Sequence, residues 1–434
     1  MAAPVGASAV DSSATLASRW AQLFLGVACM VAASNIQYSW TLFVPEILKS
    51  HDWSRAALQT AFTVFVIVQT WSTPVVGHFI DRHGPRTLVL FGGVMTGLGW
   101  IVNSYATSLP GFYLGAVVGG LGVGAVYATA VNNALKWFPE KRGLAVGLTA
   151  GGYGSGTVIT IIPIANMLRS SGHQTTFFTF GMLIGAAIVV CAWFLRTPPP
   201  VAAAPKSSKV IQSGRDYTVG EALRTPVFWL LLVMFTGVVT GGLMVTAQLG
   251  LIAEDLGVAR TRVNFLFIGM AALPFALMLD RMMNGLSRPF FGWISDNIGR
   301  ERTMFLAFTL EGLGVLALGW LGSNPVAFVF LSGMVFLAWG EVYSLFSAVS
   351  ADTFGTKHVG KIYGALYCAK GIASLLVPFG NVLMEATGTW KSVLYSMAAM
   401  DLLAAAAALL VLRPMLRRHH AQNAAPASAS TAVA

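Results

Sequence analysis

The sequence predicts an all-α polytopic membrane protein with twelve transmembrane helices in two pseudo-symmetric six-helix halves. Three observations predict it. Only 10% of the 434 residues are charged and 56% are hydrophobic, whereas a soluble domain carries about 25% charged residues. The apolar residues lie in long unbroken blocks, and about 20 such residues span a bilayer as a helix. Two loops half a chain apart repeat the same residues at the same spacing. The blocks lack the polar–apolar alternation of an outer-membrane barrel.

The blocks fall at 20–46, 56–80, 87–107, 111–136, 143–168, 174–195, 226–252, 263–294, 303–322, 325–351, 360–385 and 390–413. With the N-terminus inside, the cytoplasmic segments hold 18 of the 27 Lys and Arg residues. The outer loops hold six: Lys49, Arg55, Arg169, Arg260, Arg262 and Lys391. That bias follows the positive-inside rule and places both termini in the cytoplasm. The net charge of +10 is then a topology signal and not a nucleic-acid footprint. Met1–Ser18 lacks the basic and apolar regions of a cleaved signal peptide. Cys29, Cys191 and Cys368 all lie in spans, which offers neither a disulfide framework nor a metal site.

The chain divides at "RTPPPVAAAPKSSKVIQSGRDYTVGEALRTP", Arg196 to Pro226, whose Pro, Ser and Lys content reads as a cytoplasmic linker. The predicted units are an unstructured N-terminus (1–18), a first half (19–196), the linker (197–225), a second half (226–413) and an unstructured tail (414–434). "TPVVGHFIDRHGPR" closes the second span and "RPFFGWISDNIGR" the eighth. Pro74 and Pro289, Gly77 and Gly292, Asp81 and Asp296, and Gly84 and Gly299 all pair at an offset of 215. Duplicated six-helix halves are the plan of the major facilitator transporters, whose substrate site lies between the halves near the midplane. Both loops resemble that superfamily's cytoplasmic signature. Asp81 with Arg82 and Arg86, and Asp296 with Arg300, are expected to clamp helix ends on the cytoplasmic face. The glycine runs "GGLGVGAVY" (119–127) and "AGGYGSGT" (150–157) lack the strand and the Lys of a phosphate loop. They read as close helix packing.

Charges within membrane helices cost about 2.5–3.5 kcal/mol each even on insertion scales, and they normally face a cavity or a partner. Asp280, Arg281 and Arg288 lie in the eighth span, Glu311 in the ninth, Glu341 in the tenth, Lys370 in the eleventh and Asp401 in the last. Depth follows from the 1.5 Å rise per residue. Arg288 lies about 12 Å from Asp296, and Lys370 about 13.5 Å from Lys361. Tyr127 and Tyr343 lie about 13.5 Å from Lys136 and Asp352. Four polar groups from four spans therefore share one level, as a central site requires. Two cations at one depth repel unless an anion bridges them, and Arg offers a fork where Lys offers a point charge. Ion pairs remain open as alternatives: Arg288 with Asp280 or Glu341, and Lys370 with Glu341. Arg281 is expected to pair with neighbouring acids, and Glu311 and Asp401 to be partnered or near an interface.

The chain resembles the oxalate/formate antiporter family of the major facilitator superfamily over nearly its whole length. The resemblance is carried by "IQYSWTLF" (36–43), "LQTAFT" (58–63), "WFPEKRGLAVGLTAGGYG" (137–154), "NGLSRPFFGWISDNIGR" (284–300), "AWGEVYSLF" (338–346) and "AKGIAS" (369–374). It implies that Arg288 and Lys370 hold the two carboxylates of oxalate, and that Gln37, Tyr38, Tyr127, Tyr153, Trp339 and Tyr343 line the cavity. Gln59 would belong to the outer gate. Glu341 and the Asp280–Arg281 pair depart from the family's pattern and are candidates for gating or coupling. The implied activity is exchange of small carboxylates, oxalate inward against formate outward, by a functional monomer in the lipid bilayer of a bacterial inner membrane. No cofactor, ATP or metal is implied. A proton-coupled monocarboxylate symporter for lactate, pyruvate or formate, with Glu341 or Asp280 as proton carrier, is the alternative.

Overall fold

The computed structural model describes residues 12–138, 142–197, 215–265, 268–355 and 358–424. The chain crosses a membrane twelve times. Pass 1 is built of Ser12–Ala33, Asn35–Tyr38 and Trp40–Leu48. Pass 2 comprises Arg55–Trp71 and the start of Thr73–Tyr105, and that helix turns at Gly84 into pass 3. Pass 4 is Leu109–Trp137. Pass 5 comprises Arg142–Ser155 and the start of Ile161–Trp193, which turns at Gly172 into pass 6. The second half holds pass 7 (Pro226–Asp255), pass 8 (Ala272–Ile298) and pass 9 (Arg300–Leu321). Pass 10 is Pro325–Trp339 with Val342–Phe354, and pass 11 is Val359–Ser374 with Val377–Thr387. Pass 12 begins at Trp390–Ala407 and continues through a π-turn, Ala408–Leu412, into Arg413–Ala424.

Helix starts follow from local chemistry. The hydroxyls of Ser54, Thr225 and Thr389 and the Asn324 carboxamide each accept a backbone N–H of the first turn. Pro226 and Pro325 then occupy the first helical position, where a missing N–H costs nothing.

The duplication is visible in backbone geometry. Gly84 (φ 75°) and Gly299 (φ 95°) close passes 2 and 8, and both adopt a left-handed φ that side chains rarely tolerate. This is a conformational reason for glycine at paired positions of the two loops. Large apolar side chains point outward, Trp320 with 76% of its surface exposed, as lipid-facing positions do.

Nine of the described helical stretches are long and apolar enough to cross a membrane. Pass 8 falls short because Asp280, Arg281 and Arg288 lower its hydropathy. Passes 2 and 5, whose helices break at Ser72 and at residues 156–160, are not among the nine.

Several expectations are corrected. The block predicted to begin the eighth span at 263 opens instead as an antiparallel hairpin, β1 (Arg262–Phe265) and β2 (Ile268–Ala271), and the helix starts at Ala272. Short apolar runs with β-branched and aromatic residues do not distinguish strand from helix. Residues 12–18 are helical, as are 414–424, where unstructured tails are expected. Leu416 of the tail is buried, which anchors that helix. The linker carries a short helix, Val219–Leu223, opened by a capping box between Thr218 and Glu221. The Thr218 backbone N–H and hydroxyl hold the Glu221 carboxyl below its usual range. Residues 1–11, 198–214 and 425–434, the remainder of the predicted tails and linker, lie outside the described residues.

The glycine runs pack helices. A Cβ on Gly99 of pass 3 would fall 2.5 Å from the Cα of Gly119 on pass 4, and one on Gly154 would fall 2.9 Å from Asn284 Oδ1 of pass 8. Backbones this close admit no side chain. Gly99→Ala is expected to cost about 1–3 kcal/mol, whereas Gly147→Ala, with nothing within 4 Å of its Cβ, should be neutral or slightly stabilising. Thermal midpoints of the two variants in detergent check this ordering.

Candidate functional site

The two ends of the molecule are called here the linker face, with the loops at Gly84 and Gly299, and the hairpin face, with β1 and β2. Between them, breaks in passes 1 and 10 bring Gln37 and Glu341 to the middle of the protein. Pass 1 is interrupted at Ser34 and Ser39, whose hydroxyls donate to Val31 O (3.0 Å) and Asn35 O (2.7 Å). Such back-bonding offers the chain an alternative to a straight helix. Pass 10 breaks at Gly340–Glu341.

Lys370 is 98% buried, with only 2% of its surface exposed. Its ammonium donates to Gln37 Oε1 and to Gln69 Oε1, each at 3.1 Å. Gln69 Nε2 donates to the Tyr153 hydroxyl (2.8 Å), which donates in turn to Gln37 Oε1 (2.9 Å). The four groups form a closed ring of hydrogen bonds, one from pass 11 and three from the first half. Carboxamide oxygens hold an ammonium without neutralising it. Lys370 is therefore positioned by neutral acceptors and not by a carboxylate. Glu341 is not its partner: both Glu341 oxygens are buried and have no hydrogen-bond partner among the described residues.

Arg288, 4% exposed, stands with its Cζ 5.5 Å from the centre of the Tyr343 ring. Lys370 Nζ lies 5.9 Å from the same ring and 5.8 Å from those of Tyr153 and Tyr367. Both cations are thus within reach of one aromatic ring. The Arg288 Nε and Nη1 have no hydrogen-bond partner among the described residues, and neither Asp280 nor Glu341 forms an ion pair with it. The alternatives of permanent ion pairs for Arg288 and Lys370 are not what the structure shows. Each contact of such a cation with an anion at 4 Å is worth about 4 kcal/mol at an effective dielectric near 20, before desolvation.

An aromatic wall encloses the pair. Tyr38 packs edge-on against Tyr153 (5.6 Å), and Tyr153 against Tyr127 (5.4 Å). Tyr127 stacks on Tyr367 (5.7 Å), which meets Tyr343 (5.8 Å), and Tyr343 meets Trp339 (5.5 Å). The indole of Trp339 lies against Gly242 of pass 7, where any side chain would collide with it. Every residue expected to line the cavity is part of this cluster. Gln69, Tyr367 and Asn284 belong to it as well and were not anticipated. Tyr367 lies three residues from Lys370 on one helix face, a spacing that could have flagged it. Gln69 is a lone amide in the apolar run VFVIVQTW. Glu311 and Asp401 sit apart from the site: their carboxyls face Gly241 of pass 7 and have no hydrogen-bond partner among the described residues, which corrects the partnered alternative.

The halves are joined toward the hairpin face. Gln59 Nε2 donates to Ala247 O (2.8 Å) and Gln248 Oε1 (3.1 Å), and Trp40 Nε1 donates to Gln59 Oε1 (3.0 Å). The Gly250 N–H donates to Thr41 Oγ1 and the Thr63 hydroxyl to Ser374 O, both at 2.6 Å. At the rim Arg55 pairs with Asp255, which also accepts from Trp390 Nε1 (2.8 Å). On the linker face the hydrogen bonds between described residues stay within a half, as with Arg19 to Trp137 O (2.7 Å) and Arg300 to Asp352 (3.2 Å). Arg82 and Arg86 are exposed there, and the Arg86 guanidinium lies 4.2 Å over the Trp193 ring. The side chains of Asp81 and Asp296 lie outside the described residues.

The profile described as Major Facilitator Superfamily matches residues 23–284 and 236–433. Over 411 residues, 94% of this chain and 94% of the relative, the chain is 36% identical to the oxalate:formate antiporter of Oxalobacter formigenes. The chain belongs to the oxalate/formate antiporter family of the major facilitator superfamily. Membership in this superfamily makes it a membrane transporter and not an enzyme. It is also similar to the uncharacterized transporter YhjX of Escherichia coli K12 (26% identity; 82% of this chain, 86% of the relative). Monocarboxylate transporter 13 of Bos taurus shares 25% identity over 82% of this chain and 80% of its own length.

If the hairpin-face bonds lock the halves together, Asp255→Asn should loosen them. In a variant whose three cysteines are replaced by Ser, Ala247→Cys is buried beneath this lock. Adding Asp255→Asn is expected to raise its maleimide labelling rate in detergent several-fold, and an unchanged rate would contradict the lock.

Proposed function

We propose that this protein is a secondary active transporter exchanging small carboxylates, oxalate inward against formate outward. The observation that carries this reading is the pair Arg288 and Lys370, buried over one tyrosine with no carboxylate of the described residues paired to either. A planar guanidinium and a mobile ammonium suit the two ends of a dicarboxylate. The name of the relative from Oxalobacter formigenes supports the choice of oxalate and formate. Gln37, Tyr38, Tyr127, Tyr153, Trp339 and Tyr343 line the proposed site, and water exclusion by their rings strengthens each charged contact.

The transporter is proposed to sit as a monomer in the lipid bilayer of a bacterial inner membrane, with the linker face and both termini in the cytoplasm. Its moving bodies are the halves 19–196 and 226–413, joined by the linker 197–225. Gln59 and the Arg55–Asp255 pair form the outer gate, closed in this conformation. Asp81, Arg82, Arg86, Asp296 and Arg300 act at the cytoplasmic end of the rocking motion. Reorientation needs no ATP, because the gradient of either anion drives the other.

Oxalate uptake into formate-loaded proteoliposomes tests the reading. Arg288→Ala and Lys370→Ala each remove a charge-assisted contact of about 1.5–3 kcal/mol. Each is expected to lower uptake by tenfold to a hundredfold, and uptake that survives both substitutions refutes the site.

The carboxyls of Asp280 and Glu341, buried and without an ion-pair partner among the described residues, favour a second reading, proton-coupled monocarboxylate symport. An inward proton gradient imposed on empty liposomes separates the two. Exchange predicts no uptake without internal substrate, whereas symport predicts uptake that Glu341→Gln or Asp280→Asn abolishes.

A further inference from the structure

Arg281 lies two helical turns from Arg288 on pass 8, toward the hairpin face, and is 1% exposed. Its Cζ is 4.1 Å from the centre of the Tyr38 ring and 4.0 Å from that of Phe336. Aromatic rings cover the faces of a guanidinium and leave its rim, which carries all five N–H groups. None of its three nitrogens makes a hydrogen bond of good geometry among the described residues, the Tyr38 hydroxyl lying near enough only for a weak one. The expected pairing with neighbouring acids is therefore corrected. Asp280 is adjacent in sequence, but neighbouring residues on a helix do not face each other, and both its oxygens are likewise buried and unpartnered.

Between the two arginines stands Asn284, three residues from Arg281 and four from Arg288, hence on the same stripe of the helix. It is fully buried, and among the described residues neither amide atom makes a hydrogen bond of good geometry, the Tyr38 hydroxyl again being close by. Unused donors therefore run along pass 8 over a rise of about 10.5 Å. An anion whose two carboxylates share a single C–C bond cannot cover that length from Arg288. A structural arginine at such burial would have its donors satisfied by carbonyls or acids. Arg281 instead has a rim of free donors held in a fixed plane, the geometry that receives a carboxylate edge-on.

We infer that Arg281 and Asn284 form a second anion station, which holds a small monocarboxylate between the hairpin-face lock and the Arg288–Lys370 site. The inference rests on the proposed carboxylate specificity. It assigns the second station to the monoanion because Arg281 is its one cation and the Asn284 carboxamide is neutral. The separation of the two stations keeps repulsion between two bound anions low enough for both to be filled together.

Equilibrium dialysis of the full-length protein in detergent against radiolabelled formate tests it. The wild-type chain is expected to bind two formates. Arg281→Gln is expected to bind one, and Arg288→Gln to retain the one at Arg281. Arg281→Lys keeps the charge and loses the planar fork, so it should weaken one of the two affinities several-fold and leave the other unchanged. It decides the matter if Arg281→Gln does not fold. A wild-type stoichiometry of one that Arg281→Gln leaves unchanged overturns the second station and leaves the proposed function standing. An Arg281→Lys binding curve identical to wild type overturns it as well. A wild-type chain that binds neither formate nor oxalate overturns both.

Discussion

A lysine that is buried, positioned and paired with no carboxylate among the described residues organises the centre of this protein. Lys370 reaches across from the second half into a ring of hydrogen bonds made by Gln37, Gln69 and Tyr153 of the first. A carboxylate partner would have cancelled the charge, and an apolar pocket would have left the ammonium with no acceptor at all. Two carboxamide oxygens do neither: they satisfy donors and preserve the field. The tyrosines around the ring follow from the same constraint. They exclude water, face the cations with their negative π-clouds and introduce no competing negative charge.

The contact also joins the halves. Hydrogen bonds from the first half to the second run from Arg55–Asp255 at the hairpin face inward to Lys370. An anion that draws the ammonium away from Gln37 and Gln69 would weaken the innermost of these bonds. Ligand binding and the relative position of the halves would then share one set of atoms, which is what alternating access requires. Glycines make this arrangement possible elsewhere in the bundle. Gly154 makes room for the Asn284 side chain and Gly242 for the Trp339 indole, so the missing side chains of two glycines give the wall of the site its space.

Pass 8 concentrates the polar groups of the second half. Asp280, Arg281, Asn284 and Arg288 fall within about three turns of one helix, and none is paired with an acid or base among the described residues. A membrane helix carrying this load is stable only where passes 1, 5 and 10 surround it. The cost of the unpaired groups is tolerated because they are buried in protein and do not face lipid.

Much of this was legible in the sequence. The charge content, the apolar blocks and the paired loops determine a twelve-pass bundle of two halves, because span length and repeat offset are properties of the chain alone. The shared depth of Arg288, Lys370, Tyr127 and Tyr343 was readable for the same reason: rise per residue converts position into height. What faces what was not readable. Height says nothing of azimuth, so whether Lys370 meets Glu341 or Gln37 depends on how passes 1, 2, 10 and 11 rotate and break. The hairpin at residues 262–271 and the partnerless rim of Arg281 were hidden likewise. Strand pairing and ring stacking are contacts between distant segments, and only the packed tertiary structure decides them.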